Sequence, residues 1–335
     1  MDIRMKILLY AEAMKAIKNS GVAKALSHQK KALELNGVDY TLDPNEPYDI
    51  AHINTVFPKS YALAKRARKS GKKVVYHAHS TEEDFRNSFL FSNLIAPLFK
   101  KWLIKCYSQG DCLVTPTPYS KRLLEGYGLK PPIHAISNGI EMKFFERDDE
   151  KGAEFRKQFG FSPEDKIIMS VGLYIERKGI LDFVELAKRM PEYKFIWFGY
   201  TPLYSVPAKI RRAVQTKLPN LYFPGYVESS ILRTAYWGTD LFLFATQEET
   251  EGIVLLEALA ARQNVLIRDI PIYEGWFKDG ENVYKASDLE GFEKRIRQIL
   301  EQECPNLTEA GYQVAAERNI ENVGKQLTEI YESLA

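Results

Sequence analysis

Four side chains of this chain stand out for the chemistry they could perform. Glu249 and Glu257 have seven residues between them in Glu248-Glu249-Thr250-Glu251-Gly252-Ile253-Val254-Leu255-Leu256-Glu257. Arg177 and Lys178 are adjacent in Gly172-Leu173-Tyr174-Ile175-Glu176-Arg177-Lys178-Gly179. Ionised carboxylates accept hydrogen bonds from hydroxyl groups, so two of them can grip two hydroxyl-bearing parts of one extended ligand. Adjacent cations suit a diphosphate. Each charge-assisted contact is worth about 1.5–3 kcal/mol, and neutralising a departing phosphate is electrostatic catalysis. Both pairs also have a plainer reading. Acidic residues ahead of a helix act as caps and dipole partners, and two neighbouring cations can be a solvated surface pair.

The flanking elements would have to place these groups. The apolar run 241–244 reads as a buried parallel strand, and 252–261 reads as a buried helix. Glu249 then falls in the loop at the carboxyl end of a strand, where open α/β sheets bind ligands. Glu257 falls about two turns into the helix, roughly 8 Å beyond its start at ~1.5 Å per residue. Between them, Gly252, Ile253 and Val254 form a helix N-terminus that favours a ligand's negative charge. Arg177 and Lys178 likewise follow an apolar run, 167–171.

Strand and helix signals alternate twice along the chain. Apolar runs occur at 7–10, 50–53, 74–76, 112–115 and 133–136, then again at 167–171, 195–198, 221–223, 241–244 and 265–267. Helical stretches separate them, such as 23–35, which Asn36-Gly37 closes. This is a βα series, so the expected fold class is α/β: two Rossmann-like doubly wound domains facing across a cleft. The polar segment Glu146-Arg147-Asp148-Asp149-Glu150-Lys151-Gly152 marks the linker. The expected division is a first domain at 1–145, a second domain at 146–319, and a closing helix at 320–335.

Length and composition fit two ordinary globular domains. No apolar run reaches the ~18–20 residues of a membrane span, and no signal-peptide pattern opens the chain. Cys106, Cys112 and Cys304 are too scattered for a disulfide framework or a metal pattern, which points to the reducing cytosol. The net charge of +2 conceals an asymmetry. Residues 1–145 carry 22 Lys and Arg against 13 Asp and Glu, whereas the rest carries 24 against 31. A basic half suggests an anionic partner, either nucleic acid or a membrane surface. No recognised nucleic-acid module accompanies it, so nucleic acid is not expected.

Two further motifs lie in the first half. His77 and His79 follow the run 74–76 and point the same way from a strand. A metal pair would need a third ligand, and none is at hand. Ser20-Gly21-Val22 is a short glycine turn after the first strand, where backbone amides can approach phosphates. Asn138-Gly139-Ile140 reads as a structural turn with glycine at positive φ.

These motifs together resemble the retaining glycosyltransferases of family four, which have the GT-B fold. The resemblance makes Glu249 the contact to the donor sugar and Glu257 the contact to the ribose of its nucleotide. It makes Lys178 a diphosphate ligand. The family's Arg one residue after the glycine is Leu173 here, and Arg177 is the nearest substitute. His79 matches the family's histidine beside the donor sugar, and Gly21 its glycine loop. No cofactor and no catalytic metal is implied; the donor is a UDP-hexose, glucose or galactose.

Tyr76-His77-Ala78-His79-Ser80-Thr81-Glu82-Glu83-Asp84-Phe85-Arg86-Asn87-Ser88-Phe89, with His28-Gln29, is similar to the bacterial enzymes that add a second hexose to monoglucosyl-diacylglycerol. That likeness implies a glycolipid acceptor and a place on the cytosolic face of the membrane. Pro97 is read as opening a helix whose apolar residues Leu98, Phe99, Trp102 and Leu103 have Lys100, Lys101 and Lys105 beside them. Such a surface can lie in an anionic membrane interface, or it can be a core helix with a solvated edge. Two rival functions stay open. One is a soluble enzyme of the same fold making a polysaccharide or small glycoside. The other is a non-catalytic sugar-nucleotide or membrane-binding module.

Overall fold

The structure, a computed structural model, describes residues 5–14 and 20–335. Twelve strands among the described residues form two parallel six-stranded sheets. The first contains β1 (Lys6–Tyr10), β2 (Asp39–Thr41), β3 (Ile50–Ile53), β4 (Lys73–His77), β5 (Cys112–Thr115) and β6 (Ile133–Ala135), in the order β2-β1-β3-β4-β5-β6. The second contains β7 (Ile167–Val171), β8 (Lys194–Phe198), β9 (Leu221–Gly225), β10 (Leu241–Phe244), β11 (Val265–Arg268) and β12 (Tyr284–Ala286), in the order β12-β11-β10-β7-β8-β9. The central strands are buried throughout, which is why they read as largely apolar runs, with only His52 in β3 and Thr115 in β5 polar, rather than as alternating ones.

Each sheet reverses its direction of growth once. In the first sheet the reversal falls between β1 and β3, and in the second between β7 and β10, where Leu241 pairs with Ile168 and Phe242 with Met169. The segments leaving the carboxyl ends of two such neighbours are thereby brought together. Helix Gly21–Leu35 is capped by the Ser20 hydroxyl, which accepts from the Ala23 amide. The chain also turns where expected at Gly139, with φ +79°.

Packing divides the chain into two compact units: Met1–Phe85, Leu94–Glu141 and Glu317–Ala335 form one, and Arg86–Asn93 with Met142–Ala316 the other. The short helical turn Met142–Phe145 opens the second unit. There the Phe145 carbonyl accepts from Trp237 Nε1 at 3.2 Å and its ring stands 5.9 Å from that of Tyr236. The last helix, Ile320–Leu334, buries Val323, Leu327, Ile330 and Tyr331 against Ile7, Leu9, Leu26 and Leu33 of the first unit.

One element differs from expectation. Pro97 does not open its helix; it lies inside Ser92–Tyr107. Proline removes the bond to the carbonyl of the fourth residue before it, here Asn93. That residue is exposed, so water can satisfy the freed carbonyl.

Candidate active site

The second sheet's reversal point assembles the cations and the first carboxylate. Arg177 and Lys178 leave β7 in the turn Glu176–Lys178, and Glu249 leaves β10. Lys178 Nζ donates to Glu249 Oε1, and Arg177 Nη1 lies 3.8 Å from Glu249 Oε2. Glu249 is 5% exposed. Burial alone would raise its pKa, but Lys178 and Arg177, with the Lys178 and Thr246 hydrogen bonds, hold its carboxyl below the usual range. The Thr246 hydroxyl lies within hydrogen-bond reach of the same oxygen at 3.2 Å and of the Arg177 carbonyl at 3.0 Å. Arg177 is itself fixed: Nε donates to Ser88 Oγ at 2.9 Å and Nη1 to the Glu248 carbonyl at 3.0 Å. Gly179 makes this approach possible. At φ +79°, a Cβ there would stand 2.3 Å from the Ala245 carbonyl oxygen, which no side chain can occupy.

Helix Ile253–Ala260 starts beside this cluster. Gly252 precedes it at φ +87°, and no side chain caps it. The first-turn amides and the dipole therefore make a place suited to an anion. Glu257 is fully buried in this helix and accepts from the Tyr236 hydroxyl at 3.0 Å. The same hydroxyl lies 3.1 Å from the Val254 carbonyl. Ile253 is buried and Val254 partly so.

His79 belongs to a different cluster, at the carboxyl ends of β3 and β4 in the first unit. Its ring stacks on His77 with centroids 4.1 Å apart, confirming that the two point the same way. Asn54 Oδ1 accepts from Gln29 Nε2 at 2.8 Å and stands 2.9 Å from His79 Nε2. This network assigns the proton of His79 to Nε2 and the lone pair to Nδ1. Burial pushes the His79 ring down to about 3, so it is neutral near pH 7. Gln29 Nε2 also reaches His77 Nδ1 at 2.8 Å, and His52 links His77 at 3.1 Å to the Tyr331 hydroxyl at 2.5 Å. Gly21 is the first residue of its helix and is exposed; a Cβ there would meet nothing within 4 Å, so packing does not require glycine.

The membrane candidates separate on inspection. Lys100 pairs with the buried Glu82 at 3.2 Å and lies over the Tyr127 ring. Trp102 turns inward, donating from Nε1 to the Val56 carbonyl at 2.6 Å. Lys101 and Lys105 are exposed. On the same helical stripe lie Leu94 and Leu98, exposed by 79% and 66%. No helix of the described residues is long and apolar enough to cross a membrane.

Sequence reasoning missed Thr246, Tyr236, Asn54 and His52. Isolated Thr, Tyr, Asn and His residues carry no local signal, since their partners lie far along the chain. Ser88 and Gln29 stood only inside strings quoted for a resemblance.

Two family models match the chain: Glycosyl transferases group 1 over residues 152–317, and Glycosyltransferase Family 4 over residues 38–144. The chain is 40% identical over 333 residues to the processive diacylglycerol alpha-glucosyltransferase of Acholeplasma laidlawii, spanning 98% of both. It is 25% identical over 231 residues to the alpha-galactosylglucosyldiacylglycerol synthase of Streptococcus pneumoniae, 68% of this chain and 62% of that one. Among solved structures it resembles the sucrose-phosphate synthase of Thermosynechococcus elongatus, with a TM-score of 0.80, 18% identity and 99% of each chain covered. It also resembles Anabaena HepE solved with UDP-glucose, with a TM-score of 0.79, 15% identity, and 98% of this chain and 100% of that one covered. These likenesses show the GT-B fold.

Proposed function

The chain belongs to the group 1, family 4 glycosyltransferases, and on that premise we propose a retaining hexosyltransferase acting on glycolipid. It moves glucose or galactose from a UDP-sugar to a diacylglycerol glycolipid, in the first instance monoglucosyl-diacylglycerol, and forms an α-linked dihexosyl-diacylglycerol. The observation that carries this reading is the buried Glu249–Lys178–Arg177 cluster beside the uncapped helix at Gly252. Cations, helix amides and a buried carboxylate in one place match the needs of a sugar diphosphate.

In this mechanism the diphosphate draws Lys178 and Arg177 and lies against the helix N-terminus. Glu249 accepts from hydroxyls of the hexose, and Glu257 from the ribose. The acceptor hydroxyl attacks the anomeric carbon from the face the phosphate leaves. The new C–O bond forms as the C1–phosphate bond breaks, and the acceptor proton passes to a phosphate oxygen. Lys178 and Arg177 stabilise the charge that develops on the diphosphate. His79, neutral with a lone pair on Nδ1, orients a sugar hydroxyl by accepting its proton in a hydrogen bond and does not act as an acid. No step is routed through a metal or cofactor.

The acceptor assignment draws on the names of the two relatives and on the exposed stripe Leu94, Leu98, Lys101 and Lys105. Two leucines followed by two lysines suit a peripheral helix in an anionic bilayer surface, on the cytoplasmic side of the cell membrane. A matrix of UDP-hexoses against diacylglycerol, monoglucosyl-diacylglycerol and soluble sugars, read by mass spectrometry, tests the proposal; NMR of the product gives the anomer. Transfer to soluble sugars alone would overturn the lipid assignment, and a β product would overturn retention.

A further inference from the structure

Tyr273 ends the short helical turn Pro271–Tyr273 after β11, and its side chain is fully buried. Its hydroxyl has no hydrogen-bond partner among the described residues. A dry, unpaired polar group is costly, so buried phenols ordinarily find an acceptor. The ring is held edge-on by Phe277, with centroids 5.3 Å apart. The oxygen lies beneath the entry to helix Ile253–Ala260: a Cβ on Gly252 would stand 3.4 Å from it and 3.0 Å from the Phe244 ring. Burial first, then Glu249, Glu251 and Glu248, push the phenol's pKa well above its ordinary value. The group therefore keeps its proton and presents a donor to an acidic turn.

Glu249 has its own partners: Lys178, Thr246 and, more distantly, Arg177. A diphosphate that draws the two cations leaves this buried carboxylate with Thr246 alone of the three. We propose that Tyr273 is a positioning residue whose O–H becomes a donor to Glu249 when Lys178 transfers to the donor's diphosphate, holding that carboxylate toward the hexose. The inference rests on the reading of Lys178 as a diphosphate ligand. It accounts for a buried hydroxyl with no hydrogen-bond partner among the described residues.

The test is calorimetric titration of UDP into wild type, Tyr273→Phe, Glu249→Ala and the double variant, with thermal unfolding of each ligand-free protein. Tyr273→Phe should weaken UDP about tenfold, equivalent to about 1.4 kcal/mol. Its ligand-free Tm should stay level or rise, because the hydroxyl has no bond to lose. In the Glu249→Ala background the same change should leave UDP affinity where it was. Unchanged affinity in the single variant, an equal penalty in both backgrounds, or a lowered ligand-free Tm each overturns the handover. A wild type that does not bind UDP, or a Lys178→Ala variant that binds it undiminished, instead overturns the site reading beneath it.

Discussion

Lys178→Met separates the structural from the chemical work of the cluster. The change keeps the side chain's length and removes its charge. Lys178 and Glu249 form a buried pair, with side chains 14% and 6% exposed. Stripping one partner from such a pair costs about 3–5 kcal/mol. Arg177 at 3.8 Å and the Thr246 hydrogen bond at 3.2 Å remain to Glu249, so the loss should sit near or below the foot of that range. We take about 2–3 kcal/mol, or a Tm lower by roughly 4–12 °C for a unit of this size.

The pH dependence identifies the group responsible. In the wild type Glu249 ionises below its ordinary value. Its stabilisation is therefore complete above the unfolded value of about 4.3 and is lost as pH falls through the lower folded value. In the variant, burial dominates and the folded value rises. The charged carboxylate then destabilises at neutral pH and is relieved as it takes up a proton. The stability gap between the two proteins should therefore be widest near pH 7 and narrow toward pH 5. Thermal unfolding across that range is the assay, with Lys178→Met/Glu249→Gln as the variant that should recover most of the loss. A gap that is the same at pH 7 and pH 5 would refute the argument. Turnover of a UDP-hexose by Lys178→Met should fall by about 10²–10³ if the lysine neutralises the leaving diphosphate.

Three other outcomes are expected. Glu257→Gln should raise the Kd for UDP about tenfold, a loss of one charge-assisted bond; unchanged calorimetric affinity removes the ribose assignment. Leu94→Ser/Leu98→Ser/Lys101→Glu/Lys105→Glu should abolish flotation with anionic vesicles while leaving Tm nearly level, because these side chains are exposed; undiminished flotation places the docking surface elsewhere. His79 has a folded value pushed down to about 3, so it stays neutral from pH 5 to 8; kcat/KM should show no inflection that Asn54→Ala or His79→Gln removes.

The sequence by itself determined the βα alternation. Strands buried on both faces are mostly apolar, so β10 is visible as an unbroken run and β3, β5 and β7 as runs interrupted only by His52, Thr115 and Ser170. It also placed Glu249 after a strand and Glu257 inside a helix, because both depend on local order along the chain. It did not show β2 and β12, which are three-residue edge strands with polar or charged members and no apolar run to mark them. Tertiary structure alone decided the partners. Lys178 meets Glu249 across 71 residues, Arg177 meets Ser88 across 89, and His52 meets Tyr331 across 279. The reversal of strand order between β7 and β10 makes the first of these pairs, and no spacing rule within either segment encodes it. The same holds for Tyr273: its place beneath Gly252 comes from packing the turn after β11 against the one after β10. Local sequence writes the elements because φ, ψ and burial pattern act over a few residues, whereas the chemistry of the site depends on contacts that exist only once the sheet has closed.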